Sequence, residues 1–370
     1  MTVRVAQIIG SRGGGGAERF YVRLTAALHA AGTPVLAVLP PGSYVDHELP
    51  PEVPRARIPM RGVWDLQARW RIRRALRRFG ADVAQTWMGR ATRLTRLAAG
   101  ARPVHVARLG GYYDVKGYRH AHAWVANTRG IRDHLVAHGL PAGRVFHIGN
   151  FVEPFEPAGP ETVHRAKADL GIPPQALVVL ALGRLHPNKG FLDLLDAFAR
   201  LPARQDGRPV HLLLIGGGPL RTEIHRAAGR SPAAARIHLL DWVRDTAPYY
   251  AAADLLVCPS RHEPLGNVIL EAWAHGLPVV STATAGPSEL IRDGETGRLV
   301  PVADPEALAD AIRDLLADGY RRRSLARRGR ETVLSEHGRE AVLTAYLALY
   351  RHLAEHPSLP PPQGSCPCAE

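Results

Sequence analysis

Two carboxylates eight positions apart, Glu263 and Glu271, stand in the run Cys258-Pro-Ser-Arg-His-Glu-Pro-Leu-Gly-Asn-Val-Ile-Leu-Glu-Ala-Trp-Ala-His-Gly-Leu-Pro-Val-Val280. The apolar residues from Asp254 to Val257 predict a buried strand, and Pro259, Pro264 and Gly266 predict a loop after it. A helix from Asn267 to His275 follows, stopped by Gly276, and then a short strand, Pro278 to Val280. Glu263 on the loop and Glu271 in the helix therefore bracket a helix N-terminus. Unpaired N–H groups and the positive end of the helix dipole favour an anion there. Carboxylates beside that anion accept hydrogen bonds from hydroxyl groups. A sugar nucleoside diphosphate offers both features in one molecule.

Gly183-Arg-Leu-His-Pro-Asn-Lys-Gly190 also lies between a strand and a helix. It delivers two cations, Arg184 and Lys189, to the end of a parallel strand, where open α/β sheets bind ligands. A nucleoside diphosphate gains negative charge as it departs, and fixed cations stabilise that transition state more than the ground state. A third element, Gly13-Gly-Gly-Gly-Ala-Glu18, lets backbone approach a ligand closely at the start of a helix. It is not a dinucleotide fingerprint. The third glycine of that pattern falls on Glu18, and Leu39 runs into Pro40-Pro41 without a ribose-binding acid.

Together these motifs resemble glycosyltransferase family 4, the group 1 type of retaining glycosyltransferase. The block at 258–280 matches its Glu-x7-Glu signature, Gly183–Gly190 its GR-x-x-x-x-KG element, and Gly13–Glu18 its N-terminal GG-x-E loop. The resemblance runs from about Val3 to Leu353. It implies a GT-B fold: α/β, with two Rossmann-like doubly wound domains facing a central cleft and a C-terminal helix crossing back. It implies that Arg184 and Lys189 bind the diphosphate and act catalytically with Glu263, which faces the donor sugar. Glu271 would hold the ribose hydroxyls. Gly15, Gly16, Gly183, Leu265, Gly266 and Asn267 would complete the donor site, with Val243 and Arg244, after the strand ending at Leu240, at the nucleobase. Leu265 stands where the family often has Phe.

On the acceptor side, the loop Arg108-Leu-Gly-Gly-Tyr-Tyr-Asp-Val-Lys-Gly117 lacks the His that many family members carry. Arg108, Tyr113, Asp114 and Lys116 are its polar candidates, ranked as binding groups before catalysts. Asn127-Thr-Arg-Gly130 resembles the family's strand-end Ser/Thr loop. The reading is a metal-independent retaining hexosyltransferase that uses a nucleoside-diphosphate sugar, UDP favoured over GDP, with no cofactor. The acceptor would be a lipopolysaccharide-core, lipid-linked or other surface glycan. In the family picture the leaving phosphate takes the acceptor proton. The alternative is a nucleotide-sugar-binding protein that does not transfer, or a GT-B sugar-nucleotide epimerase.

The elements needed to position these groups alternate along the chain. Strands Val3–Ile9, Val35–Leu39, Asp82–Thr86, Val104–Leu109, Ala123–Ala126 and Val145–Ile148 predict one parallel sheet, with helices Glu18–Ala31 and Asp65–Phe79 between them. A Pro- and Glu-rich stretch from Phe151 to Pro160 reads as a linker. The pattern then restarts with strands Leu177–Leu182, Leu212–Ile215, Ile237–Leu240, Leu255–Val257 and Val279–Val280. After Asp304 the periodicity is helical through Leu353. The expected organisation is an acceptor domain at 1–155, a donor domain at 161–340, a returning helix at 341–357 and a flexible tail at 358–370.

The 370 residues suit two domains, and 46% hydrophobic with 22% charged residues is a globular composition. No apolar run reaches the ~20 residues of a membrane helix. The strand-first N-terminus has no signal-peptide order, so a cytoplasmic location is expected. Three cysteines exclude a disulfide framework, and Cys366 and Cys368 lack partners for a metal site. Residues 1–150 hold 23 Lys+Arg against 8 Asp+Glu, a net of +15, while the remainder nets −2. That asymmetry calls for an anionic partner of the first half: a glycan or lipid-linked acceptor, with peripheral contact to anionic membrane at its inner face, rather than nucleic acid. On helix Trp64–Phe79 one face is Trp64, Ala68, Ile72, Ala75, Leu76 and Phe79. Arg69, Arg71, Arg73, Arg74, Arg77 and Arg78 crowd much of the rest.

Overall fold

The computed structural model describes residues 2–153, 155 and 158–358. Cys366 and Cys368, with the rest of the tail from 359, lie outside the described residues, as does part of the predicted linker. The chain divides into two compact units, Met1–Phe151 with Arg339–Glu370, and Val152–Gly338.

The first unit runs β1 (Val5–Ile9), α1 (Gly16–Ala30), β2 (Val35–Leu39), α2 (Tyr44–Glu48), β3 (Arg55–Arg57), α3 (Leu66–Phe79) and β4 (Val83–Trp87). It continues through α4 (Met88–Leu94), β5 (Val104–Leu109), β6 (Ala123–Ala126), α5 (Arg129–Ala137) and β7 (Val145–His147). Its sheet is parallel in the order β3-β2-β1-β4-β5-β6-β7. The strands β1, β4, β5 and β6 are buried along their whole length, as in parallel sheets covered by helices on both faces. The sequence periodicity misses α2, β3, α4 and α5, because five residues, three residues, a Met-Gly-Arg start and a helix that buries only Ile131 and Leu135 carry too little of it.

Helix α3 corrects one expectation. Asp65 caps it by accepting from Ala68 N–H at 2.9 Å, and Gly80 ends it at φ 66° in the left-handed region. The buried stripe is Ala68, Ile72 and Leu76. Trp64 precedes the cap and is 80% exposed, so it does not belong to the packed face. Leu66 and Trp70 are exposed beside it, at 73% and 54%.

The second unit contains α6 (Pro160–Ala168), β8 (Leu177–Leu182), α7 (Phe191–Ala199), β9 (Arg204–Gln205), β10 (Arg208–Ile215), α8 (Arg221–Arg230), β11 (Ile237–Leu240) and α9 (Ala247–Ala252). After these come β12 (Leu255–Cys258), α10 (Asn267–Ala274), β13 (Val279–Thr282), α11 (Ala285–Leu290), β14 (Arg298–Val300), α12 (Pro305–Ala317) and α13 (Gly319–Glu336). The main path β11-β10-β8-β12-β13-β14 is parallel, and β9 pairs antiparallel with β10. Strand order reverses between β8 and β12, which are hydrogen-bonded neighbours with Leu256 opposite Leu180. Loops leaving the carboxyl ends of two such strands diverge and open a crevice, the usual ligand position in open α/β sheets.

Helix α14 (Arg339–Glu355) belongs to the first unit. Tyr346, Tyr350 and Leu353 are fully buried in the same core as Phe20 and Trp87. Tyr350 Oη donates to Gln85 Oε1 at 2.9 Å and accepts from Gln7 Nε2 at 3.0 Å, and Gln7 Oε1 accepts from Trp87 Nε1 at 2.7 Å. Hydroxyl, amide and indole groups thus satisfy one another across β1, β4 and α14, which removes the cost of burying them.

Candidate active site

The two loops at the strand-order reversal of the second unit carry the predicted chemistry, and backbone hydrogen bonds stitch them together. Arg261 N–H and His262 N–H both donate to Asn188 O, at 2.8 and 3.0 Å. Arg261 adds a two-pronged ion pair to Asp193 in the first turn of α7, at 2.8 and 2.6 Å. Beneath them Gly190 (φ 62°) starts α7 with its Cα against Pro259 O, where a β-carbon would come to 2.0 Å. Only glycine meets both demands.

That framework brings Lys189 against Glu263. The ammonium bonds Glu263 Oε2, which also accepts from Ser260 Oγ at 3.2 Å. Glu263 Oε1 has no partner among the described residues. Burial alone would lower the Lys189 pKa. The Glu263 carboxylate, the Cys258 thiol and the hydrogen bond to Glu263 outweigh it and raise the value above that of an ordinary lysine. Burial pushes the Cys258 thiol up as well, so it is no nucleophile near neutrality. Arg184, at the end of β8, is exposed and makes no ion pair among the described residues. Gly183 (φ 152°) precedes it and passes so close to Gly216 that a β-carbon on Gly216 would lie 1.9 Å from Gly183 O. The Gly216-Gly-Gly-Pro219 turn is therefore a seat for the Arg184 loop, held by Leu185 N–H to Gly217 O at 3.0 Å.

Gly266 caps α10 at φ 98°, and Asn267 begins the helix. Leu265 is buried, with its backbone in close approach to Gly286, where a β-carbon would come to 2.4 Å. Gly286 N–H donates to Glu263 O at 2.9 Å. Glu271, one turn into α10, is half-buried and accepts from Tyr250 Oη at 3.2 Å. Beyond β11, Asp241 pairs with Arg221, Val243 is half-buried and Arg244 exposed. Trp242, absent from the sequence-based set, is 53% exposed beside them. The sequence reading also missed Ser260, Asp193, Arg261 and Tyr250. Ser260 and Arg261 carried a signal, as polar residues between a buried strand end and Glu263.

In the first unit Gly15 caps α1 in extended backbone and Gly16 is its first residue. Glu18 is buried and folds back, so a β-carbon on Gly15 would meet its Oε2 at 2.9 Å. Arg108 departs from its expected place on the acceptor side. It is buried, with its guanidinium over Trp87 and Phe20 at 4.5 and 4.8 Å, and it donates to Tyr346 Oη and Asn150 Oδ1. As the fifth residue of the buried strand β5, it holds core aromatics together and does not face solvent. Tyr113, Asp114 and Lys116 are exposed, and Asp114 accepts from Lys116 N–H at 2.9 Å. Partial desolvation of its hydroxyl raises the Tyr113 pKa, opposed by Arg108 and assisted by Glu18. Among the described residues no three His, Cys, Asp or Glu side chains gather to hold a metal ion.

A family model described as glycosyltransferase family 4 matches residues 14–154, and one described as glycosyl transferases group 1 matches residues 176–318. The lipopolysaccharide core biosynthesis glycosyltransferase LpsE of Rhizobium meliloti (strain 1021) is 37% identical over 338 residues, covering 90% of this chain and 95% of its own. LpsD of the same organism is 31% identical over 341 residues, covering 91% and 95%. Among solved structures, Anabaena Alr3699/HepE in complex with UDP and glucose superposes with a TM-score of 0.80 at 20% identity, over 94% of this chain and 99% of that one. WaaG, a glycosyltransferase involved in lipopolysaccharide biosynthesis, gives 0.71 at 19% identity, over 93% and 99%. These likenesses show a fold of GT-B type, with two α/β parallel-sheet units.

Proposed function

The chain belongs to glycosyltransferase family 4, group 1 type, and from that premise we propose that it is a retaining, metal-independent hexosyltransferase of lipopolysaccharide-core assembly. The observation that carries the reading is the Lys189–Glu263–Ser260 cluster beside exposed Arg184, at the strand-order reversal of the second unit. Two cations and a carboxylate with one uncommitted oxygen suit a diphosphate and a sugar hydroxyl. UDP is the favoured nucleotide, in keeping with the UDP and glucose bound by HepE. Core glycan as acceptor follows the names of LpsE and LpsD.

In the proposed reaction the bond between the sugar C1 and the diphosphate oxygen breaks as an acceptor hydroxyl attacks C1 from the same face. The proton passes to the departing phosphate, so no side chain need act as base. Arg184 and Lys189 stabilise the leaving diphosphate. Glu263 Oε1 accepts a hydroxyl of the sugar, and Glu271 accepts the ribose hydroxyls. The test is transfer from UDP-hexose to truncated core acceptors, with the product anomer read by NMR. Arg184→Ala should lower kcat about 10²-fold, roughly 3 kcal/mol of leaving-group stabilisation. Wild-type turnover in that variant removes Arg184 from the mechanism, and an inverted anomer removes the retaining assignment.

No helix among the described residues is long and apolar enough to cross a membrane. The proposed membrane contact is peripheral, through α3. Exposed Trp64, Leu66 and Trp70 lie beside exposed Arg73, Arg74, Arg77 and Arg78, the combination that binds an anionic interface.

A further inference from the structure

Tyr250 sits in the short helix α9 and is 1% exposed, yet its hydroxyl reaches Glu271 Oε2 at 3.2 Å. Its ring lies nearly parallel to His275, with centroids 4.5 Å apart and an interplanar angle of 11°. His275 packs in turn on Phe155, at 3.6 Å between centroids. Burial lowers the His275 pKa to about 4, against an opposing pull from Asp245, so the imidazole is neutral near pH 7 and brings no competing charge to Glu271. Tyr250 belongs to a buried apolar cluster that also contains Leu256, Ile269 and Leu270. Phenylalanine would fill that volume and spare the desolvation of a hydroxyl, so the hydroxyl needs a reason beyond packing.

We propose that Tyr250 is a positioning residue for the ribose end of the nucleotide, holding one oxygen of Glu271 so that the carboxylate is already oriented when the ribose arrives. The proposal rests on the reading that Glu271 takes the ribose hydroxyls. A glutamate has three rotatable bonds, and ordering them during binding would weaken affinity. A donor fixed on buried aromatic packing does the ordering in advance.

The experiment measures binding of UDP and of 2′,3′-dideoxy-UDP to full-length wild type, Tyr250→Phe, Glu271→Gln and the double variant by calorimetry. Donor KM and kcat are measured alongside. Tyr250→Phe should bind UDP about fivefold to tenfold more weakly, towards the upper end of what one ordinary intramolecular hydrogen bond contributes. It should barely change dideoxy-UDP binding, and donor KM should rise more than kcat falls. The double variant should be no weaker than Glu271→Gln alone. The ratio of the two affinities comes from one sample and does not depend on the folded fraction, so a destabilised variant still answers. If Tyr250→Phe keeps the wild-type ratio while Glu271→Gln loses it, Tyr250 only fills volume and the inference is overturned. If Glu271→Gln keeps the ratio, the ribose role of Glu271 fails and the inference fails with it.

Discussion

Replacing Lys189 by Met should destabilise the second unit, apart from any loss of turnover, because it strands a charge. Glu263 is 8% exposed, and without the ammonium its Oε2 keeps only the Ser260 hydroxyl. Breaking a buried ion pair from one side costs about 3–5 kcal/mol. The Lys189 side chain is 28% exposed, so water screens part of the loss and about 2–3 kcal/mol is the expected figure. For a unit of this size that is about 5–10 °C in Tm. Glu263→Gln should cost a similar amount by leaving Lys189 unpaired. The double variant removes both charges, so it should be less destabilised than the two losses added, with a coupling of about 1–3 kcal/mol. The pH dependence follows from the raised Lys189 pKa. The pair's contribution is fully present below the unfolded lysine value near 10.5 and is lost only as pH rises through the higher folded value. The stability gap between wild type and Lys189→Met should therefore be flat from pH 6 to 9 and close only above about pH 10.5. Calorimetric melting of the four proteins across pH decides it. Additivity within about 0.5 kcal/mol, or a gap that closes below pH 9, would refute the ion-pair argument.

Activity should survive excess chelator, because in the proposed mechanism Arg184 and Lys189 take the part of a divalent cation. Loss on chelation with recovery in magnesium or manganese would contradict the metal-independent reading. Binding to anionic vesicles should fall steeply with salt, since each basic residue near such a surface contributes about 1 kcal/mol within a Debye length. Trp64→Ser with Trp70→Ser, or charge reversal at Arg73, Arg74, Arg77 and Arg78, should release the protein while donor hydrolysis is unchanged. Indifference of the wild type to such vesicles at low salt would end the membrane proposal. His275, with a folded pKa of about 4, takes up a proton on unfolding between that value and the unfolded 6.5. Its contribution to stability is therefore present above pH 6.5 and lost as pH falls towards 4. A His275→Phe variant should show a shallower acid slope in urea melts, and an unchanged slope would place the acid sensitivity elsewhere.

The pattern of residue types along the chain was enough to place the long central strands, because β1, β4, β5, β8 and β10 are mostly apolar, although β10 begins at Arg208, four residues before its predicted start. Local chemistry also marked the two loops that meet at the strand-order reversal, since Gly183–Gly190 and the 258–280 block carry their cations, carboxylates and helix start within a few residues of one another. What escaped was whatever depends on long separation. Glu263 lies 74 residues from Lys189, and nothing in either motif shows that the two charges pair. Tyr250 and Asp193 reach their carboxylate and guanidinium partners across 21 and 68 residues of chain. Arg108 shows the converse. Its loop is polar and reads as a binding surface, but the strand pleat turns the side chain inward among Phe20, Trp87 and Tyr346. Trp64, which fits an apolar helical stripe by type, falls before the Asp65 cap and so outside the helix that would have buried it. Periodicity reports which side chains share a face. Which face meets a partner depends on where the helix starts and on chain that arrives from hundreds of residues away.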